Sequence, residues 1–136
     1  MAYTKIFPIR TRLDRRVRYA LNGKKTALEA AAGYTLDAAK TESVLFTDAF
    51  NCGLAASCAE MYATKRRWGK DQNRVQGYHI IQSFVPGEIT PELALQIATE
   101  FATEYLAGYQ VVIGTHTNRH HIHSHILFNS VIMCRI

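Results

Sequence analysis

The chain has 136 residues, 48% of them hydrophobic and 20% charged, which is enough for one compact domain with its own core and too short for two. No apolar run approaches the ~20 residues of a membrane span, and the start MAYTKIFPIR lacks the apolar stretch of a secretory signal, so a soluble cytoplasmic protein without membrane insertion is expected. The net charge of +5 is unevenly placed: residues 1–25 carry eight basic side chains against the single acid Asp14, and a second basic island, KRRWGKDQNR at 65–74, holds the only tryptophan. Such islands fit a polyanion partner, because each phosphate contact releases condensed counterions, although a solvated basic face has the same composition. The three cysteines, Cys52, Cys58 and Cys134, are odd in number and show no C-x-x-C spacing, which argues against a disulfide framework and against a cysteine zinc site.

AYTKIFPI (2–9) reads as a short strand, and residues 10–22 as a helix for which Gly23 supplies the left-handed stop. At 100° per residue, Leu13, Val17, Ala20 and Leu21 form the apolar stripe of that helix, and Tyr19 stands roughly 150° from its centre. Arg12, Arg15 and Arg16 lie at i−7, i−4 and i−3 from Tyr19 and share its face. A phenol among guanidinium groups suits attack on a phosphate that the same arginines grip; an exposed tyrosine on a basic helix is the plainer reading. Residues 26–40 are alanine-rich and partly helical, and SVLFT (43–47) is a short strand. Residues 53–68 carry a helical stripe of Leu54, Cys58, Met61, Tyr62 and Lys65, broken by GKDQN. Residues 74–85 are β-like. TPELALQIATEFATEYL (90–106) is the clearest helix, with Thr90 as N-cap, Pro91 in the first turn, Leu93, Ile97 and Phe101 on one face, and Gly108 as its end. YQVVIG (109–114) and HIHSHILFNSVI (121–132) then form two strands joined by THTNRH, an expected antiparallel pair.

The segment HTNRHHIHSH (116–125) holds five of the six histidines. Along a strand, His121, His123 and His125 point one way, and Ile122, Ser124, Ile126 and Phe128 the other, so one side is polar and the other mostly apolar. His123 and His125 lie roughly 6.6 Å apart along the strand, within reach of one ion at bonds of about 2.0–2.1 Å. His121, ~13 Å from His125, is a poorer third ligand, because strand side chains stand nearly perpendicular to the strand. His116 on the preceding strand is the natural third ligand if the two strands pair. Three neutral ligands leave positions open for substrate, which suits Lewis-acid chemistry. Adventitious clustering of histidines is the alternative.

THTNRHHIHSHILFNSV, taken with RRVRYALNGKKT near the start and GYHIIQSFVPGEITPELA between them, resembles the relaxase domains of plasmid and conjugative-element mobilisation proteins, which are HUH endonucleases. The resemblance runs over nearly the whole chain. It implies an α+β fold, an antiparallel sheet flanked by helices with the metal histidines on central strands. It implies nicking of one DNA strand at a transfer origin through a covalent 5′-phosphotyrosine. Matched position by position, Tyr19 is the nucleophile and His116, His123 and His125 are the metal ligands, in agreement with the spacing. Arg12, Arg15, Arg16, Lys24 and Lys25 are the expected DNA contacts, and His79, Asn118 and His121 stand as candidates beside the ligands. The family often has an aspartate where this chain has Asn118, and a hydrophobic residue where it has Ser124, which faces away from the metal and bears on packing. Mg²⁺ or Mn²⁺ is the implied cofactor, although imidazoles alone suit a softer ion. Single-stranded DNA at a transfer origin and accessory mobilisation proteins are the implied partners. Relaxase domains continue past the histidine strand with helical segments that hold DNA, whereas this chain stops at SVIMCRI, so a C-terminally truncated, N-terminal portion of the domain is expected over 1–136. A catalytically weak remnant that binds DNA or metal without nicking is the competing reading. A simple phosphodiesterase is a third, and it leaves Tyr19 without a task.

Overall fold

A computed structural model describes residues 3–10, 12–30, 45–72, 74–85, 87–117 and 121–133, with backbone alone over 22–30 and at 45. Alternating apolar positions build five strands: β1 (Tyr3–Ile9), β2 (Leu45–Phe50), β3 (Gly77–Phe84), β4 (Val111–Thr117) and β5 (Ile122–Asn129). They form one antiparallel sheet in the order β1-β3-β5-β4-β2, so the histidine strand β5 is central. Helices α1 (Leu13–Ala30) and α2 (Ser57–Arg67) cover one face, where Leu13, Val17, Ala20 and Met61 pack on Ile9, Val112 and Leu127. Helix α3 (Pro91–Tyr105) covers the other, with Ala98 and Ala102 against Ile80, Val111, Ile113, Ile126 and Phe128. The architecture is the α+β sheet flanked by helices that the sequence leads one to expect.

Because both faces of β5 are covered, the expectation of one polar and one apolar side needs correcting. The histidine side becomes apolar at Leu127, which is buried beneath α1, and the opposite side carries the buried Ser124. Ser124 is accommodated by Thr115, its cross-strand neighbour, at 2.8 Å between hydroxyls, and by donating to Ala94 O at 3.4 Å.

Other boundaries also move. Helix α1 runs through Gly23 to Ala30, because a glycine inside a helix costs only about 1 kcal/mol and the residues after it are mostly good helix formers. Residues 26–30 of the alanine-rich stretch are thus helical, and 31–40 lie outside the described residues. Strand β2 ends at Phe50 and not at Thr47, since its pairing with β4 extends from Leu45 opposite His116 to Phe50 opposite Val111. Helix α2 begins at Ser57, which leaves Leu54 exposed ahead of it. In α3 the Thr90 cap is as expected, its hydroxyl accepting from Leu93 N at 3.2 Å. The buried row is Ala94, Ala98 and Ala102, however, and Leu93 is exposed. Small side chains let the helix axis lie close to β4 and β5, and the larger Leu95, Ile97 and Phe101 fill its flanks. Among the described residues no helix is long and apolar enough to cross a membrane.

Candidate active site

The site forms where α1 crosses β4, and a glycine decides how close that crossing is. Gly114 pairs with His125 across the β4–β5 ladder. A Cβ at Gly114 would lie 1.8 Å from the carbonyl oxygen of Ala20, so only the absence of a side chain admits the helix backbone here. The close approach brings Tyr19 over the histidine strand. Its ring stands edge-on to His125 with centroids 5.3 Å apart and lies 6.0 Å from His116, while the side chain keeps 45% of its surface exposed. His116 Nε2 donates to Ala20 O at 2.6 Å, pinning the same turn of α1 to the sheet.

His116 falls inside β4, which extends beyond the expected end at Gly114, and lies directly opposite His123. The rings of His116 and His125 are 4.6 Å apart, and those of His123 and His125 6.5 Å apart. His121 is exposed and lies 5.3 Å from His123, further along the strand from Tyr19's neighbours. From β3, His79 reaches His125, with His79 Nε2 2.8 Å from His125 Nδ1, and Ser83 Oγ lies 3.0 Å from His123 Nδ1. His79 is itself buried against Phe7, whose ring is 4.8 Å away and carries the Arg16 guanidinium 5.5 Å from its centroid. Asn118 and His120, and the side chains of Lys24 and Lys25, lie outside the described residues.

Two of the three arginines expected around Tyr19 have other partners. Arg12 makes a bidentate pair with Asp14, with bonds of 3.0 and 2.6 Å, and Arg16 lies over Phe7. A two-residue separation lets Arg12 reach Asp14, a local partner that outcompetes the turn-to-turn alignment with Tyr19. Arg15, Arg16 and Arg18 remain exposed on the outer surface of α1.

The site disfavours protonated imidazole. Burial pushes His125 down to about 3, assisted by the charges of His116, His79 and His123. Burial and then the neighbouring Arg16 and His116 push His79 down to about 4, and burial with His121 and His116 lowers His123. Unfolded, these groups titrate near 6.5. Between the folded and unfolded values the unfolded chain binds more protons, so stability is full above about 6.5 and falls as pH drops toward about 4. Denaturant unfolding without metal should therefore give a lower midpoint at about pH 5 than at about pH 7, and equal midpoints would contradict the buried neutral histidines.

Among the described residues, no three ligating side chains stand close enough to hold one ion. His116 and His125 are near the ~5 Å expected of two imidazoles on one centre, but His123 lies too far from His125. The donor types and their shared face suit a cation.

The MobA/VirD2-like relaxase nuclease domain matches residues 34–134, most of the chain. The chain belongs to this family. Among related proteins, Protein rlx of Staphylococcus aureus is 35% identical over 109 residues, covering 80% of this chain and 32% of rlx. A second rlx of that species is 36% identical over 81 residues, covering 60% of this chain and 25% of the relative. The group II intron-interrupted relaxase LtrB of Lactococcus lactis subsp. cremoris is 48% identical over 60 residues, 43% of this chain and 11% of LtrB. The relaxase-family chain thus aligns with a third or less of each relative's length. No solved structure gives a significant match. The family match takes in His79 and the histidine strand, and Tyr19 lies ahead of it. Two contributors to the candidate site have little signal in the sequence. That of Gly114 is its place inside a strand, since a glycine there marks a close backbone approach. Ser83 had no signal beyond sharing a strand face with His79.

Proposed function

We propose that this relaxase-family chain nicks one strand of DNA at a transfer origin and stays joined to its 5′ phosphate through Tyr19, for mobilisation of the element that carries the origin. The observation that carries this reading is the edge-on placement of a half-exposed Tyr19 on His125 and His116. His116, His123 and His125 are the residues that would hold a divalent ion, Mg²⁺ or Mn²⁺. Such an ion supplies Lewis-acid withdrawal of charge from a non-bridging phosphate oxygen, an effect worth several kcal/mol.

The chain's own residues do the rest. Tyr19 Oη attacks phosphorus, a new Oη–P bond forms, and the P–O3′ bond breaks. The phenol proton passes through solvent to the departing 3′ oxygen, so the products are a 3′ hydroxyl and a tyrosyl phosphodiester. Because the ester conserves the bond energy, a 3′ hydroxyl can reverse the step and reseal a strand. Arg15 and Arg16 on α1 take phosphates flanking the scissile one. The partners are single-stranded origin DNA and accessory mobilisation proteins, in the cytoplasm.

Incubating the chain with single-stranded origin DNA and Mn²⁺ tests the reading. A denaturation-resistant protein–DNA adduct supports it, and nicked DNA free of protein identifies a hydrolase instead. If the α1 arginines contact phosphates, log affinity for single-stranded DNA falls with log salt at about −0.7 per contact. Replacing Arg15 and Arg16 by alanine should flatten that slope, and an unchanged slope removes them from the interface.

A further inference from the structure

Strand β3 presents His79 and Ser83, four residues apart on one side, to the histidines of β5. His79 Nε2 meets His125 Nδ1 at 2.8 Å, and Ser83 Oγ meets His123 Nδ1 at 3.0 Å. A neutral imidazole has one N–H and one bare nitrogen, and only the bare nitrogen can take a cation. We infer that His79 and Ser83 are positioning residues: with a cation bound they accept from Nδ1–H of His125 and His123, and so support the tautomer in which each ring offers a bare Nε2 as the ligating atom. This deepens the proposed function and rests on its metal site.

The His79–His125 pair has a second arrangement, and the burial of His79 makes the choice consequential. With His125 Nδ1 donating, His79 Nε2 accepts and the His79 proton sits on Nδ1, a buried atom that makes no hydrogen bond among the described residues. With the bond reversed, His79 Nε2 donates, His79 Nδ1 is bare, and His125 carries its proton on Nε2, where it blocks ligation. The reversed form spares an orphaned buried donor, so it is the resting form without a cation. Binding a cation at His125 Nε2 selects the first form. Both forms hold two protons on two neutral rings, so the exchange moves protons between nitrogens without changing charge. Packing on Phe7 fixes the His79 ring through the exchange. Ser83 adapts at His123 by rotating its hydroxyl.

Long-range proton–nitrogen NMR on ¹⁵N-histidine protein reads the tautomers directly in the unsubstituted chain. The expected result is Nε2–H on His79 and His125 without metal, and Nδ1–H on both with Zn²⁺ bound. His125 retaining Nε2–H with Zn²⁺ bound overturns the inference. Calorimetric titration with Mn²⁺ gives a second readout. His79→Leu should weaken binding about 10- to 100-fold, while His79→Gln, whose Oε1 can accept where Nε2 does, should stay within about threefold of the unsubstituted chain. Binding unchanged by His79→Leu, or lost equally in His79→Gln, shows that His79 only fills space. If the unsubstituted chain binds neither ion, the metal reading itself fails and this inference fails with it.

Discussion

Tyr19→Phe is expected to lower covalent capture of single-stranded origin DNA by at least about a thousandfold, while Mn²⁺ and DNA affinities stay within about twofold. The substitution removes one oxygen from a side chain that is half exposed. Its ring packs edge-on against His125 and His116 through contacts that phenylalanine retains. Loss of capture together with loss of DNA affinity would show that Tyr19 binds and does not react. Denaturing gel assay of the adduct, beside equilibrium binding of the same variant, separates the two.

Gly114→Ala should be strongly destabilising, more so than a methyl at Gly53, Gly69, Gly77 or Gly87. Its Cβ would fall 1.8 Å from Ala20 O and 2.7 Å from Ala20 C, and both are backbone atoms of a helix that cannot swing aside as a side chain can. Overpacking of this kind costs about 3 kcal/mol or more, because relief requires α1 to lift off β4. Lifting α1 also breaks the His116–Ala20 bond and takes Tyr19 away from His125, so covalent capture should fall with stability. Chemical denaturation measures the first effect and the adduct assay the second. A loss of under about 0.5 kcal/mol would mean that α1 does not lie on Gly114 as described.

Much of this site is legible in ten residues. The alternation around His123 and His125 fixes which side chains share a face, and the pairing of two neighbouring strands brings in His116. Period-two geometry is local and therefore readable. Helical angles placed Tyr19 away from the main apolar stripe, and its ring does keep nearly half its surface open, yet the contact with His125 is tertiary. It depends on Gly114, ninety-four residues after the helix begins to approach it at Ala20. Arg12 has a partner that turn spacing does not reveal. Turn spacing aligned Arg12 with Tyr19, but Asp14 offers Arg12 a nearby carboxylate, and a bidentate ion pair outweighs alignment alone. In α3 the large apolar residues dominate the periodic pattern, whereas the alanines make the close contact. Helix-to-sheet distance is set by the smallest side chains at the contact, so Ala94, Ala98 and Ala102 take the centre. Gly23 marks a propensity that its helix-forming neighbours override.

Covalent attachment of DNA to Tyr19 is the step that separates a relaxase from a hydrolase here. Peptide mapping of the trapped adduct by mass spectrometry tests it most directly: single-stranded origin DNA is cut in the presence of Mn²⁺, the complex is denatured and proteolysed, and the nucleotide-bearing peptide is sequenced. One modified peptide is expected, carrying a 5′ phosphate on the oxygen of Tyr19. A phosphate on Tyr3, Tyr34 or any other tyrosine, or cutting that persists undiminished in Tyr19→Phe, would contradict it.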